Sequence, residues 1–340
     1  MNREKSKFRK FLLGVLYVIS SICLVFAIIN ALPPKKAVEN NPFISPDRTM
    51  AAAHRGGGDL NPENTLKAHK YSRSIGCDIL EGDLYTTKDG VLVVNHDGKL
   101  KRTSDVELVY GFENASIGDF TLAELEQLNF GYNFVDLNKN RPYKDLVSVG
   151  QENRAEIIKQ NEVGILTLEM LLDEFYETDK DILFILEIKE SGEKGKKASD
   201  ILAKLFDEKY PDYKDNFVLG TFHDEIEAYL KEAHPHIMRG GARKSVTKFV
   251  ITQLLKVNLF ENTGVACLQI PMEESGINLS KKTYIRRAHR KNMAVQYWTI
   301  NKEEEMQLLI DLGADIITTD SPDVLKQTLI DNKYYENSNN

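Results

Sequence analysis

The residues with the most chemistry to offer fall in four short runs. His54-Arg55-Gly56-Gly57-Gly58 closes one apolar run, Glu81 and Asp83 sit two apart in a second, His96-Asp97 ends a third, and Glu187-Ile188-Lys189 ends a fourth. Side chains two apart on a strand share a face, so Glu81 and Asp83 point together. Three carboxylates offering only oxygen suit a hard divalent cation, Mg2+ or Ca2+. Two histidines flanking such a site can divide the work of general base and general acid. Taken singly, each feature has a blander explanation. A strand-end His is commonly structural, Glu-x-Asp is commonly a solvated strand face, and Glu-x-Lys is commonly a salt bridge. Their weight comes from falling together at the ends of strands, where buried charges are costly unless paired or liganded.

The elements that must position them read as strands alternating with helices. Strands are expected at 50–54, 78–84, 181–188, 216–222, 236–240, 266–270, 293–299 and 314–319. Most are separated by apolar residues at helical spacing, as in EEEMQLLIDLG (303–313), where Met306, Leu309 and Ile310 share a face. Strand–helix alternation implies a parallel sheet, and eight strands close a (β/α)8 barrel over 50–332. Such a barrel needs roughly 250 residues, which the 340-residue chain supplies.

One run does not fit the parallel count. VLVVNH (91–96) follows the second strand after only Tyr85 to Gly90, too short for a parallel crossover, so the two must form an antiparallel hairpin with Asp89-Gly90 in the turn. The two plausible registers place His96 opposite Glu81 or opposite Asp83, so His96, Glu81 and Asp83 should converge. Residues 97–165 read as an insertion at the barrel mouth, with a helix over 118–128 beginning at Asp119 or Thr121. The tail 333–340 reads as disordered.

The N-terminus has a character of its own. Residues 1–10 carry a net +4, residues 11–32 carry no charge, and the remainder therefore holds −11 of the total −7. Phe11 to Leu32 exceeds the ~20 residues that span a hydrocarbon core. A cleaved signal peptide would have an apolar stretch of only about 7–15 residues, so a single-pass anchor is the expectation. The basic flank should stay in the cytoplasm, which puts the catalytic domain outside it at the cell membrane. Residues 33–49, punctuated by Pro33, Pro34, Pro42 and Pro46, read as a linker without packing of its own. The acidic remainder argues against nucleic-acid binding. Cys23, Cys77 and Cys267 are too few and too scattered for a disulfide framework.

Six segments in order, AHRGGGDLNPENT, EGDLYTTKDGVLVVNHD, LTLEMLLDEF, FILEIK, WTIN and ADIITTDSP, resemble the successive motifs of the glycerophosphodiester phosphodiesterase family across nearly all of 50–330. The resemblance implies a (β/α)8 barrel and metal-dependent hydrolysis of a glycerophosphodiester to an alcohol and glycerol 3-phosphate. By position it implies His54 and His96 as the acid–base pair, in an order left open. Glu81, Asp83 and Glu187 would be ligands of a Ca2+ or Mg2+ ion, Arg55 and Lys189 phosphate contacts, and Trp298 a pocket wall. The chain departs from the family at Thr221-Phe222-His223, where Ser-Phe is usual, and at 239–244 and 271–274, which bear on substrate choice. Two rivals stand beside this reading: a phospholipase D-like or phosphoinositide-cleaving barrel acting on intact lipids, and a non-catalytic binding protein on the same fold. His69, on the first barrel helix, and His289, on a solvated basic helix face beside Arg286, Arg287, Arg290 and Lys291, receive no site role, and neither do His234 and His236, which have no acid or cysteine directly beside them. His223 follows a strand end and is the one to watch.

Overall fold

A computed structural model describes residues 2–32, 34–45, 47–257 and 263–333. The strands in chain order are β1 (Met50–Ala53), β2 (Ile79–Thr86), β3 (Leu92–Val94), β4 (Leu166–Thr167), β5 (Leu183–Ile188) and β6 (Phe217–Gly220). There follow β7 (Cys267–Ile270), the short hairpin β8 (Glu273–Glu274) and β9 (Ile277–Asn278), then β10 (Ala294–Tyr297) and β11 (Ile316–Thr319). Seven of them run parallel in the order β6-β5-β2-β1-β11-β10-β7. Their residues are almost all buried, as a sheet covered on both faces requires. The result is a curled, TIM-barrel-like sheet with helices outside it.

The fifth expected strand, 236–240, does not form a regular ladder. Arg239 makes one parallel bridge to Leu219 of β6 and Gly240 one to Cys267 of β7. The backbone here is drawn close to a side chain: a Cβ on Gly240 would lie 2.1 Å from Gln269 Oε1. That close approach explains the glycine.

The expected hairpin forms, but in neither expected register. Leu84 pairs with Val94 and Thr86 with Leu92, leaving a five-residue loop, Thr87 to Val91, closed by a hydrogen bond from the Thr87 amide to the Val91 carbonyl. Extended along this register, His96 would face Gly82 rather than Glu81 or Asp83. β3 takes the stretch of β2 beyond the end of β1, since β1 pairs with β2 only at Ile79 and Leu80. The short strand β4, absent from the sequence reading, pairs antiparallel with β3.

Within 97–165 the expected helix breaks in two, a 3-10 turn at Ile117–Asp119 and a helix at Leu122–Leu125. Two successive capping boxes, Ser116 with Asp119 and Thr121 with Glu124, cause the break. This region has a small core of its own around Leu100, Val106, Phe120, Leu125 and Phe130, and a buried ion pair between Arg154 and Asp105.

The stretch expected to be an unpacked linker is packed. Phe43 is fully buried among Met50, Ile79, Leu183, Val218, Ala266, Ala294 and Ile316, residues at the starts of the parallel strands. Asn41 Nδ2 donates to the carbonyls of Ala266 and Asn292, and the Ala37 amide donates to Lys291. Prolines gave this stretch the look of a linker. The barrel interior at the strand starts needs an apolar plug, and Phe43 supplies it.

Helix α1 (Asn2–Ala31) precedes this segment. Its stretch Ser6–Ile28 has a mean hydropathy of 2.7, none of it buried, and is long and apolar enough to cross a membrane. The tail expected to be disordered lies, from residue 334 on, outside the described residues.

Candidate active site

The chain leaves β1 through three consecutive residues in the left-handed region, Arg55 (φ 53°), Gly56 (78°) and Gly57 (87°). Glycine is needed at the last two, because a Cβ on Gly56 would lie 2.9 Å from Ala68 Cβ and one on Gly57 2.8 Å from Pro322 Cγ. Helix α2 (Leu66–Ser74), capped by Thr65, fixes the far side of this turn. The tight curl keeps His54 and Arg55 over the strand ends and aims the Arg55 amide at Glu81 Oε2, 2.7 Å away.

All eight residues singled out from sequence line one pocket at the C-terminal ends of the parallel strands: His54, Arg55, Glu81, Asp83, His96, Glu187, Lys189 and Trp298. His96 reaches it despite the different register: the ladder continues one residue past β3, the Asn95 amide donating to the Asp83 carbonyl, and the chain bends from His96 on. Thr221 and Phe222 also line the pocket, and the Phe222 ring meets Trp298 edge-on at 5.6 Å. His223 does not join them. It stands at the N-cap position of the helix Asp224–Ala233 without a side-chain capping bond, and its Nε2 lies 3.1 Å from the Lys189 carbonyl oxygen.

Each histidine is held by an aspartate. His54 Nδ1 lies 2.6 Å from Asp320 Oδ1, and Asn301 Nδ2 donates to the other oxygen at 2.7 Å. His96 Nδ1 lies 2.7 Å from Asp97 Oδ1, while the other Asp97 oxygen pairs with Arg102. Arg102 and Arg55 both pair with Glu63. With Nδ1 donating to a carboxylate, Nε2 of each ring is left for the pocket.

The two rings are pushed in opposite directions. Burial works against charge on His54, but the Asp320 bond and the nearby Glu81 charge outweigh it and raise its pKa. Burial lowers His96, and Asp83 and Asp97 offset this only in part. Burial, then the Asp83 charge, lifts Glu81 to about 8. Glu187 is lifted to about 7 by burial and then Asp83, against the pull of Lys189. Burial pulls the Lys189 ammonium down, but Asp83 and Glu187 more than compensate and hold it above its ordinary value.

Lys189 Nζ stands 3.3 Å from Asp83 Oδ1 and 3.2 Å from Glu187 Oε1. Asp83 Oδ2 and Arg55 Nε are both buried without a hydrogen bond and face each other across 4.0 Å. As the side chains stand, no three His, Cys, Asp or Glu groups among the described residues converge to hold an ion. Lys189 lies between Asp83 and Glu187, and Glu81 is turned to the Arg55 amide. The donor types nonetheless suit a hard cation, since three carboxylates line the one pocket and one buried oxygen, Asp83 Oδ2, is unsatisfied.

Residues 54–324 match the Glycerophosphoryl diester phosphodiesterase family. The chain belongs to this family. As a glycerophosphodiester phosphodiesterase it is a phosphoric diester hydrolase, and its pocket sits where enzymes of this fold carry their sites. It is 25% identical over 330 residues to a glycerophosphodiester phosphodiesterase of Bacillus subtilis (strain 168), covering 93% of this chain and 97% of that one. It is 27% identical over 285 residues to the one from Caldanaerobacter subterraneus subsp. tengcongensis, covering 82% and 96%. Its fold is similar to that of an Oleispira antarctica phosphodiesterase solved with the product sn-glycerol-3-phosphate, with a TM-score of 0.60, 21% identity and coverage of 84% and 97%.

Sequence reasoning missed several pocket partners of this phosphodiesterase. Asp320 and Asn301 lie inside the motifs ADIITTDSP and WTIN and received no role. Asp320 follows the end of β11, the position that drew attention to His54 after β1. Gln269, Gln296 and Thr318 form a hydrogen-bonded row across the pocket floor, with Gln269 Nε2 donating to Gln296 Oε1 at 3.0 Å and Gln296 Nε2 to Thr318 Oγ1 at 2.7 Å. Their inward position on β7, β10 and β11 was the available signal, since a polar residue inside a barrel needs a partner.

Proposed function

We propose that this enzyme cleaves glycerophosphodiesters to an alcohol and glycerol 3-phosphate with His54 as general acid and His96 as general base. The observation that carries the proposal is the pair of aspartate-held imidazoles in one pocket with three carboxylates, Arg55 and Lys189. The name of the B. subtilis relative and the product bound to the O. antarctica relative support the substrate class.

The two roles divide by the company each aspartate keeps. Among the described residues the Asp320 carboxylate is hydrogen-bonded by the neutral Asn301 amide and the ring and forms no ion pair with an arginine or lysine, so its charge supports an imidazolium at His54. Asp97 is already matched by Arg102, which leaves His96 more readily neutral and able to accept a proton. Groups whose surroundings drive their proton affinities apart make an acid–base pair. His96 would take the proton of the attacking hydroxyl, and His54 Nε2 would deliver one to the departing alkoxide. Arg55, with its planar fork, and Lys189 would hold the phosphate oxygens. Glu81, Asp83 and Glu187 would hold a divalent cation, Ca2+ or Mg2+, which when bound neutralises charge on the phosphate.

In this reading Arg239 and Gly240 mark the eighth position of a complete (β/α)8 barrel, supported by their bridges to both sheet edges. Helix α1 anchors the barrel as a single membrane span, with the basic flank inside and the barrel on the extracytoplasmic side. Protease added to intact cells should then digest the barrel; protection until lysis would reverse the orientation.

The activity is tested by incubating the purified full chain with glycerophosphocholine, glycerophosphoethanolamine and glycerophosphoglycerol and assaying glycerol 3-phosphate. Chelator should abolish turnover, and Mg2+ or Ca2+ should restore it. Release of no glycerol 3-phosphate from any of them, with or without added cation, would overturn the reading.

A further inference from the structure

The barrel is gripped at one end and opens at the other. The pocket lies at the C-terminal ends of the parallel strands. The segment that follows α1 is stitched to the opposite end, where the strands begin. There the Ala37 amide bonds Lys291 and Asn41 bonds Ala266 and Asn292. Asn292 returns bonds to the Val38 and Glu39 carbonyls, and Phe43 fills the interior. Thr49 bonds Ala314, and Arg48 pairs with Asp78, both again beside strand starts. Even Leu32, just past α1, accepts a hydrogen bond from Arg290 on this side.

We infer that the anchored enzyme turns its mouth away from its own bilayer, so that phospholipid embedded in that membrane does not reach the site. The inference rests on the reading of α1 as an anchor, and it is a matter of reach. Five residue steps join Leu32 to Ala37, and fully extended they span about 18 Å. Unwinding Ile29 to Leu32 would add about 14 Å more. A compact body of this length is roughly 45–50 Å across, so carrying the tether from the strand starts to the mouth takes some 70 Å around its surface. The tether lets the barrel tilt, but it does not let the mouth meet the headgroups beneath it. The docking of Ala37, Asn41, Phe43, Arg48 and Thr49 removes the route to embedded lipid that a membrane anchor would otherwise open.

The test uses the full chain in phosphatidylcholine–phosphatidylglycerol vesicles, in a Cys23→Ser background. Cys77 and Cys267 are buried and stay unlabelled. A fluorophore is placed at Glu274→Cys, on the hairpin after β7 at the mouth, or at Asp215→Cys, just before β6 at the strand starts. A lipid-borne quencher should dim the Asp215 probe strongly and the Glu274 probe weakly. Soluble glycerophosphocholine should be hydrolysed while the vesicle's own lipid stays intact. Equal or reversed quenching, or cleavage of the embedded lipid, overturns the inference. Loss of all turnover of glycerophosphocholine removes the proposed activity and the substrate class with it, while the quenching ratio still reports orientation separately. Extraction of the chain by alkaline carbonate removes the anchor and the inference together.

Discussion

His54 Nδ1 lies 2.6 Å from Asp320 Oδ1, although the two residues are 266 positions apart in the chain. The contact joins the ends of β1 and β11, which run side by side. It also sets the tautomer and tilt of the imidazole, since a carboxylate on Nδ1 commits the proton there.

Asp320→Asn should therefore cost roughly 10²–10⁴ in kcat, the usual worth of a general acid, with KM little changed. An ester with a good leaving group such as p-nitrophenol needs little protonation, so the variant should recover much of its rate on that substrate. His96→Asn should not recover. Equal losses for both variants on both substrates would remove the division of labour.

The metal ligands make a second prediction. Glu81→Gln, Asp83→Asn and Glu187→Gln each delete an anionic oxygen and should weaken both activity and Mg2+ or Ca2+ binding by calorimetry. Circular dichroism checks that each variant folds. Undiminished activity of a folded double variant in excess chelator would rule out the metal-dependent mechanism.

Phe43→Ala empties the plug at the strand starts. The loss should be about 3–5 kcal/mol in urea unfolding, the usual cost of truncating a buried Phe. A loss within the scatter of surface substitutions would mean that 37–49 only rests against the barrel.

Gly240→Ala drives a methyl into Gln269 Oε1 and should destabilise by about 1–3 kcal/mol through overpacking. Adding Gln269→Ala removes the clash, so the double variant should lose less than the sum of the two single losses. Simple additivity would show that the glycine serves something other than that side chain.

His69, on α2, is wholly buried with neither ring nitrogen hydrogen-bonded, and burial lowers its pKa to about 3. The unfolded chain protonates this ring near 6.5 while the folded one keeps it neutral. Its contribution to stability is thus whole above pH 6.5 and is lost as pH falls from there toward 3, by up to about 1.4 kcal/mol per unit. Between pH 7.5 and 5, the wild type should lose about 2 kcal/mol more than His69→Leu in urea unfolding. Parallel pH profiles for the two proteins would contradict this.

The sequence by itself determined the parallel strand–helix alternation, the apolar N-terminal helix and most of the pocket residues, while Arg55 and Trp298 came from the family resemblance. The former depend on local periodicity and on a simple placement rule, that polar residues at the ends of buried strands gather at one mouth. Tertiary structure alone decided what meets over long separations. The pairing of Asp320 with His54 and of Arg102 with Glu63 arises only when distant segments become neighbours. The hairpin register turned on a five-residue loop that allows several pairings in sequence, and the single-bridge contact at Arg239 and Gly240 on the close approach of Gln269. Residues 33–49 show the difference most clearly. Their prolines are a local signal for an unpacked linker, but the burial of Phe43 depends on an apolar opening made by strand starts from across the chain, which no local pattern contains.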